Sequence, residues 1–321
     1  MTESFAPRTD ETADTTRHLA DGIVGAGHQL LVIAPGPGQA SYRGARVVRA
    51  RRLAPPHVVG GVLDGFGTEF VIAVRPGVLG SSVLLHAGRH GLPSLAIDPP
   101  KVHVRAGRTL ATSRERRTHL AFTGVDAEIW TPGVDLDDHH PGLRDARLRT
   151  AWAKGNGLVI GHVGEVDRQH VVDRLIRIAQ MDGLRLVVLG DGAGARSLRA
   201  AGAKVVGACE GLELARAIAS IDVLVQPRKK EQQVPGVRRA LASGVPVVGF
   251  DAGGTRDVVV DGHNGLLAHP SRNRDLRSAV HSLFDDDLRT RLAGHARDSV
   301  SDRPWSIAIT DLLDRHLPAL V

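Results

Sequence analysis

The chain has 321 residues, of which 42% are hydrophobic and 3% aromatic, with 41 Lys and Arg against 35 Asp and Glu for a formal net charge of +6. This composition excludes a disordered chain, and the length admits two domains of ordinary size whose cores rest on Val, Leu, Ile and Ala. The basic balance favours phosphorylated ligands or anionic surfaces. No aromatic-plus-basic motif or paired Cys/His finger accompanies it, so nucleic acid is not an expected partner, and the single Cys209 excludes an internal disulfide.

The opening MTESFAPRTDETADTTRHLADG is polar and acidic, unlike a signal peptide. No apolar run approaches the roughly 18 residues needed to span a bilayer, so the expectation is a cytoplasmic protein with peripheral contact at an anionic inner membrane face. Residues 12–25 predict a helix, and the first apolar strand, QLLVIA, comes only at 29–34. The N-terminal domain therefore opens without its usual first strand. RGARVVRARR (43–52) alternates like an edge strand with surface charge, and EFVIAV (69–74) and PSLAID (93–98) read as further strands. Asp98 and His103 are polar candidates there, with no role assigned. Residues 133–157 are polar and Gly-rich before LVIGHV (158–163), LRLVVLG (184–190), DVLVQP (222–227) and PVVGF (246–250), with VVDRLIRIAQM and LELARAIAS as helices between. Near-continuous β-branched runs alternating with helices predict α/β architecture with doubly wound parallel sheets. The expected domains are 1–147, 148–303 and a terminal helix over 304–321.

Chemistry concentrates in RKKEQQVPGVRRALASGVPVVGFDAGG (228–254). Pro235 suits a helix start, and Val237, Ala240, Leu241 and Gly244 share one apolar face behind it. A helix N-terminus favours phosphate. Gly190-x-Gly192-x-Gly194 reads as a strand-ending turn, with a phosphate loop as the alternative. His162, inside an apolar strand, reads as a core or cleft-edge residue. The sixteen histidines show no metal-binding spacing, so no metal is expected.

TESFAP through AGHQLLVIAP, RTLATS, GVD, HVGEVDRQHVVDRL, VVLGDG, ELARAIASIDVLVQP, ALASGVPVV and DAGGTRDVVVDGHNGLL together resemble a retaining GT-B glycosyltransferase of the group 4 type. The similarity is strongest to actinobacterial GDP-mannose-dependent α-mannosyltransferases, covers nearly the whole chain and is densest after residue 150. It implies two Rossmann-like domains facing across a cleft. It implies transfer of a hexosyl group, mannosyl above all, from a GDP-sugar to a lipid or glycan acceptor. It further implies that Gly164, Gly207, Glu231, Val234, Gly236, Val237, Gly253 and Gly254 line the donor site.

Four matching positions depart from the pattern of that family. Glu11 stands where a glycine approaches the donor phosphates. Glu165 and His170 stand where an arginine and a lysine hold the diphosphate. Arg239 replaces the second of two glutamates, Glu231 matching the first. A departing nucleoside diphosphate gains negative charge that fixed cations stabilise; two lost charge-assisted hydrogen bonds cost about 3–6 kcal/mol, or about 10²–10⁴ in rate. Three functions stand side by side. One is an active transferase in which Arg168, Arg228, Lys229, Lys230 or Arg239 replaces the lost groups. The second is a catalytically inactive GT-B relative acting as a binding or regulatory partner. The third, weaker reading is a basic binder of anionic lipid surfaces.

Overall fold

A computed structural model describes residues 1–8, 10–100, 106–153, 155, 157–230 and 233–317. It divides into two compact units, Met1–Gly133 with Trp305–Val321, and Val134–Pro304. Among the described residues no helix is long and apolar enough to cross a membrane.

The first unit runs α1 (Glu11–Gly25), β1 (Leu31–Ala34), β2 (Ser41–Tyr42), β3 (Ala45–Arg49), α2 (Pro56–Asp64), β4 (Val71–Val74), α3 (Val78–Arg89), β5 (Ser94–Ile97), β6 (Arg108–Ala111), α4 (Arg114–Phe122) and β7 (Glu128–Ile129). β1, β3 and β2 form one sheet in that order, and β4 to β7 form a parallel sheet in sequence order. The two are joined where the sequence predicted a missing strand. Thr2 N–H donates to Ile33 O at 3.0 Å, and Val74 N–H donates to Met1 O at 3.0 Å. Met1 and Thr2 thus act as a strand of minimal length between β1 and β4. α1 follows, capped by the Asp10 carboxylate, which accepts from the N–H groups of Thr12 and Ala13.

β3 corrects one expectation: it is not an edge strand. It pairs in parallel with β1 on one side and antiparallel with β2 on the other. The physical cause is a two-residue turn at Arg43 and Gly44, both with positive φ (43° and 90°), which folds the short β2 back onto β3.

The second unit contains α5 (Ala146–Trp152), β8 (Leu158–Val163), α6 (Gln169–Ala179), β9 (Leu184–Leu189), α7 (Ala195–Ala200), β10 (Lys204–Gly207), α8 (Gly211–Ala219), β11 (Val223–Gln226), α9 (Pro235–Ala242), β12 (Val247–Phe250), α10 (Thr255–Val258), β13 (Gly265–Ala268), α11 (Asn273–Ser282) and α12 (Asp286–Ala296). Its six strands lie in the order β10-β9-β8-β11-β12-β13, every neighbouring pair parallel. Successive side chains point to opposite faces of a strand, so each strand feeds two cores. Leu158, Ile160, Leu186, Val188, Val223 and Val225 pack with Val171, Leu175 and Ile178 of α6. Val159, Val187, Leu189 and Leu224 pack on the other face with Ile218 of α8 and Val237 and Leu241 of α9. Burial of each such side chain contributes about 1.5–3 kcal/mol, which explains why the runs are apolar without alternation.

The chain passes between units at Gly133/Val134 rather than at 147/148. Val134 N–H donates to Arg303 O at 3.1 Å, and the Arg297 guanidinium donates to Leu136 O and His139 O. Arg144 and Arg149 both bind Asp222, whose carboxylate also accepts Val159 N–H at 2.9 Å. These bonds hold residues 134–152 to the second unit. The last helix, α13 (Trp305–Asp311), returns to the first unit, where Trp130 Nε1–H donates to Ala308 O at 3.0 Å.

Candidate active site

In the second sheet the chain runs outward from β8 through β9 to β10, then returns to the other side of β8 as β11. In an open parallel sheet, that reversal leaves a crevice at the carboxyl ends of the two central strands, where ligands bind. Here the crevice lies between the loop after β8, which carries Gly164 and Glu165, and the loop after β11, which carries Pro227 to Lys230. Arg228 spans it. Its guanidinium donates to the Glu165 carbonyl, and its own N–H donates to Gln226 Oε1 at 3.3 Å.

Further cations surround that arginine. Arg174 of α6 donates to Pro227 O at 2.8 Å and lies 5.2 Å from the centre of the buried Phe250 ring. Lys229 Nζ lies 4.6 Å from the same ring centre, within cation–π range. His170, exposed in the first turn of α6, is held below the ordinary histidine pKa by local desolvation and then by the fields of Arg174, Arg168, Arg228 and Lys229. Desolvation and then Arg174 also lower the pKa of Lys229. The sequence named Arg168, Arg228, Lys229, Lys230 and Arg239 as candidate replacements, and the first three face His170 here; it did not single out Arg174, whose only signal was its position four residues after His170 on one helical face. Glu165 is exposed, and it is its carbonyl that binds Arg228. His162, 1% exposed, donates through Nδ1–H to Val225 O, 3.2 Å away, and burial lowers its pKa to about 4. It is a neutral core residue beneath the crevice.

The glycines divide by function. A Cβ at Gly190 would lie 2.1 Å from Gly164 O, and one at Gly194 2.6 Å from Val166 O. Val166 N–H donates to Asp191 O at 3.1 Å, and Gly194 N–H to Val166 O at 2.9 Å. Gly190-x-Gly192-x-Gly194 is therefore a packed turn against the loop after β8, as the local pattern implied. Gly164 has φ +124° and Gly207 φ +107°, each with open space where a Cβ would be. Gly253 has φ +58° and precedes Gly254, the cap of α10, both being buried.

At α9, Val234 accepts from the N–H groups of Val237 and Arg238 (3.1 and 3.2 Å) while held at φ 45°, ψ 52°. A β-branched residue in the left-handed region costs about 1–2 kcal/mol, and such strain gathers at functional loops. Nothing in the local sequence signalled it. Gly236 sits against Val163 of β8, where a Cβ would meet Val163 Cβ at 3.2 Å. Arg239 is half-buried on α9, beside Arg238, whose pKa burial lowers to about 10. Glu231 lies outside the described residues, as does His103.

In the first unit, Glu11 pairs with Arg75 at 3.2 Å. Arg75 (φ 45°) and Asp98 (φ 48°) end β4 and β5 in left-handed conformations. Asp98 is 5% exposed and accepts the N–H and hydroxyl of Thr112; burial raises its pKa against those hydrogen bonds and the charges of Arg75 and Arg116.

Residues 157–286 match the protein family described as glycosyl transferases group 1. Over 98% of its length the chain is 33% identical to a GDP-mannose-dependent alpha-mannosyltransferase of Mycolicibacterium smegmatis, covering 96% of that protein. A protein of the same name from Corynebacterium glutamicum is 28% identical over 98% of this chain and 87% of its own. Among solved structures, Anabaena HepE in complex with UDP and glucose superposes with a TM-score of 0.80 at 16% identity, covering 99% of this chain and 98% of that one. Sucrose-phosphate synthase from Thermosynechococcus elongatus gives 0.80 at 16% identity, with 100% and 96% covered. These likenesses show a GT-B fold.

Proposed function

The chain belongs to the group 1 glycosyltransferases, and from that premise we propose that it transfers a mannosyl group from GDP-mannose, with retention, to a lipid or glycan acceptor. The observation that carries this reading is the cation cluster at the β8/β11 crevice. Arg228, Lys229 and Arg174 meet there, with Arg168 contributing to the same field at His170. A departing GDP gains charge as its bond to the sugar breaks, and fixed cations in a partly desolvated crevice stabilise that charge without reorganising. In this arrangement Arg228, Lys229 and Arg168 supply the positive charge that an arginine and lysine at 165 and 170 would have supplied. His170, exposed in the first turn of α6, is held below the ordinary histidine pKa by local desolvation and by these cations. Gly164, Gly207, Gly253 and Gly254, with the α9 start at Val234, Gly236 and Val237 and the neighbouring Glu231, form the donor site in this proposal. No metal takes part in it, and the protein works as a peripheral cytoplasmic enzyme.

The exposed Glu165 carboxylate beside that crevice favours a second reading, a catalytically inactive relative that keeps the fold as a regulatory partner. Titration calorimetry of the full chain with GDP, GDP-mannose and UDP tests the first. Binding selective for the guanine nucleotides, followed by mannosyl transfer in a lipid extract, is the expected result. No heat at millimolar nucleotide refutes it, and selective binding without transfer or donor hydrolysis leaves the regulatory reading.

A further inference from the structure

The basic stretch at 43–52 finds no use in the donor site, and it ends in a feature of its own. β1 and β3 are parallel neighbours, and Ala50 N–H, just past β3, donates to the O of Ala34, the last residue of β1, at 3.1 Å. At these carboxyl ends, where open parallel sheets receive ligands, lies a cavity of about 420 Å³ lined by Arg8, Pro35, Gly36, Arg49, Ala50, Arg51 and Arg52. Four of its seven lining residues are arginines from two separate segments, and none is acidic. The nearest acids in sequence are already engaged. Asp10 accepts from Ser4 Oγ and from the N–H groups of Thr12 and Ala13, and Glu11 pairs with Arg75.

Arg49 is the best-positioned of the four. Its Nη2 donates to Ala6 O at 2.5 Å, and its guanidinium carbon lies 5.9 Å from the Phe5 ring centre. Among the described residues, its Nε and Nη1 are buried with no hydrogen-bond partner. The glycine at 38 makes room for it, since a Cβ there would lie 2.0 Å from Arg49 Nη2. Two buried guanidinium donors without an acceptor are costly, and Nε and Nη1 point to different sides of the planar guanidinium, so an anion oxygen reaching either one would satisfy it. Arg51 and Arg52 are exposed at the mouth, and Leu53 beside them is 79% exposed.

We propose that this arginine pocket at the ends of β1 and β3 is an oxyanion-binding site, taking the phosphate or carboxylate of an acceptor headgroup. Naming the ligand an acceptor rests on the transfer reading above; the anion site itself does not. The test uses the full chain without donor, so its result is independent of GDP titration. Inorganic phosphate is titrated calorimetrically, and phosphatidylcholine vesicles with and without phosphatidylglycerol are co-sedimented. The wild-type chain is expected to bind one or both anions, and Arg51→Ala/Arg52→Ala to weaken that binding at least about tenfold. Arg43→Ala/Arg46→Ala removes equal charge from the same hairpin outside the pocket and is expected to leave binding unchanged. Arg49→Lys, which keeps the charge but loses the planar guanidinium and its extra donors, weakens it while circular dichroism reports the fold. Phosphate binding marks a site for the free anion, and vesicle binding alone marks a headgroup held at a surface. No binding to either, or equal losses in the two double variants, overturns the proposal.

Discussion

Arg228→Ala tests the donor site most directly. In the structure the Arg228 guanidinium crosses the β8/β11 crevice to the Glu165 carbonyl, with Lys229 beside it over Phe250. The variant removes one cation from the expected diphosphate position and one tie between the two loops. A charge-assisted hydrogen bond contributes about 1.5–3 kcal/mol. Arg228 is half-buried, so solvent screening favours the lower end, about 1.5 kcal/mol or roughly tenfold in the Kd for GDP. If the charge matters more as GDP departs than in the resting complex, kcat falls further, by about 10–100-fold. Arg228→Lys should lie between, since it keeps the charge and loses the fork. Calorimetric titration with GDP at two salt concentrations is the measurement, with circular dichroism as the check on folding. A Kd within about twofold of wild type in a folded Arg228→Ala protein would refute the assignment of this arginine to the donor phosphates, since binding would then owe it less than the weakest charge-assisted bond.

Two further outcomes follow from the same geometry. Gly190→Ala places a Cβ 2.1 Å from Gly164 O and 2.7 Å from its carbonyl carbon; because backbone must move, urea unfolding should show a loss of about 1–3 kcal/mol together with weakened GDP binding, and an unchanged midpoint would contradict the packed-turn assignment. His162 titrates near 4 when folded, against an ordinary 6.5. The unfolded chain therefore binds the extra proton first, so stability is complete above about pH 6.5 and falls as pH drops towards 4, by about 3 kcal/mol in all. Urea midpoints from pH 7 to 4.5 should fall less steeply in His162→Phe than in wild type, and parallel slopes would rule this out.

The local pattern of the chain was enough for most of the fold. QLLVIA, EFVIAV, LVIGHV, LRLVVLG, DVLVQP and PVVGF all became strands, because β-branched runs without alternation can be satisfied only where both faces are covered. The helix over 12–25 and the glycine turn after LRLVVLG were legible for the same reason: each is set by residue type and near neighbours. The family followed from the same strings of residues. The tertiary structure decided what depends on distant pairs. Met1 and Thr2 fill the gap beside β1 by bonding to Ile33 and Val74, and β3 lies inside its sheet because β2 turns back onto it. Gly190 is glycine because of the Gly164 carbonyl, and Arg228 earns its position by reaching Glu165, 63 residues away in sequence. Val234 is left-handed at the α9 cap, against its own preference and against the extended backbone usual at that position. A residue's propensity acts over a few neighbours, whereas hydrogen bonds and close contacts between remote segments exist only once the sheet order has brought those segments together.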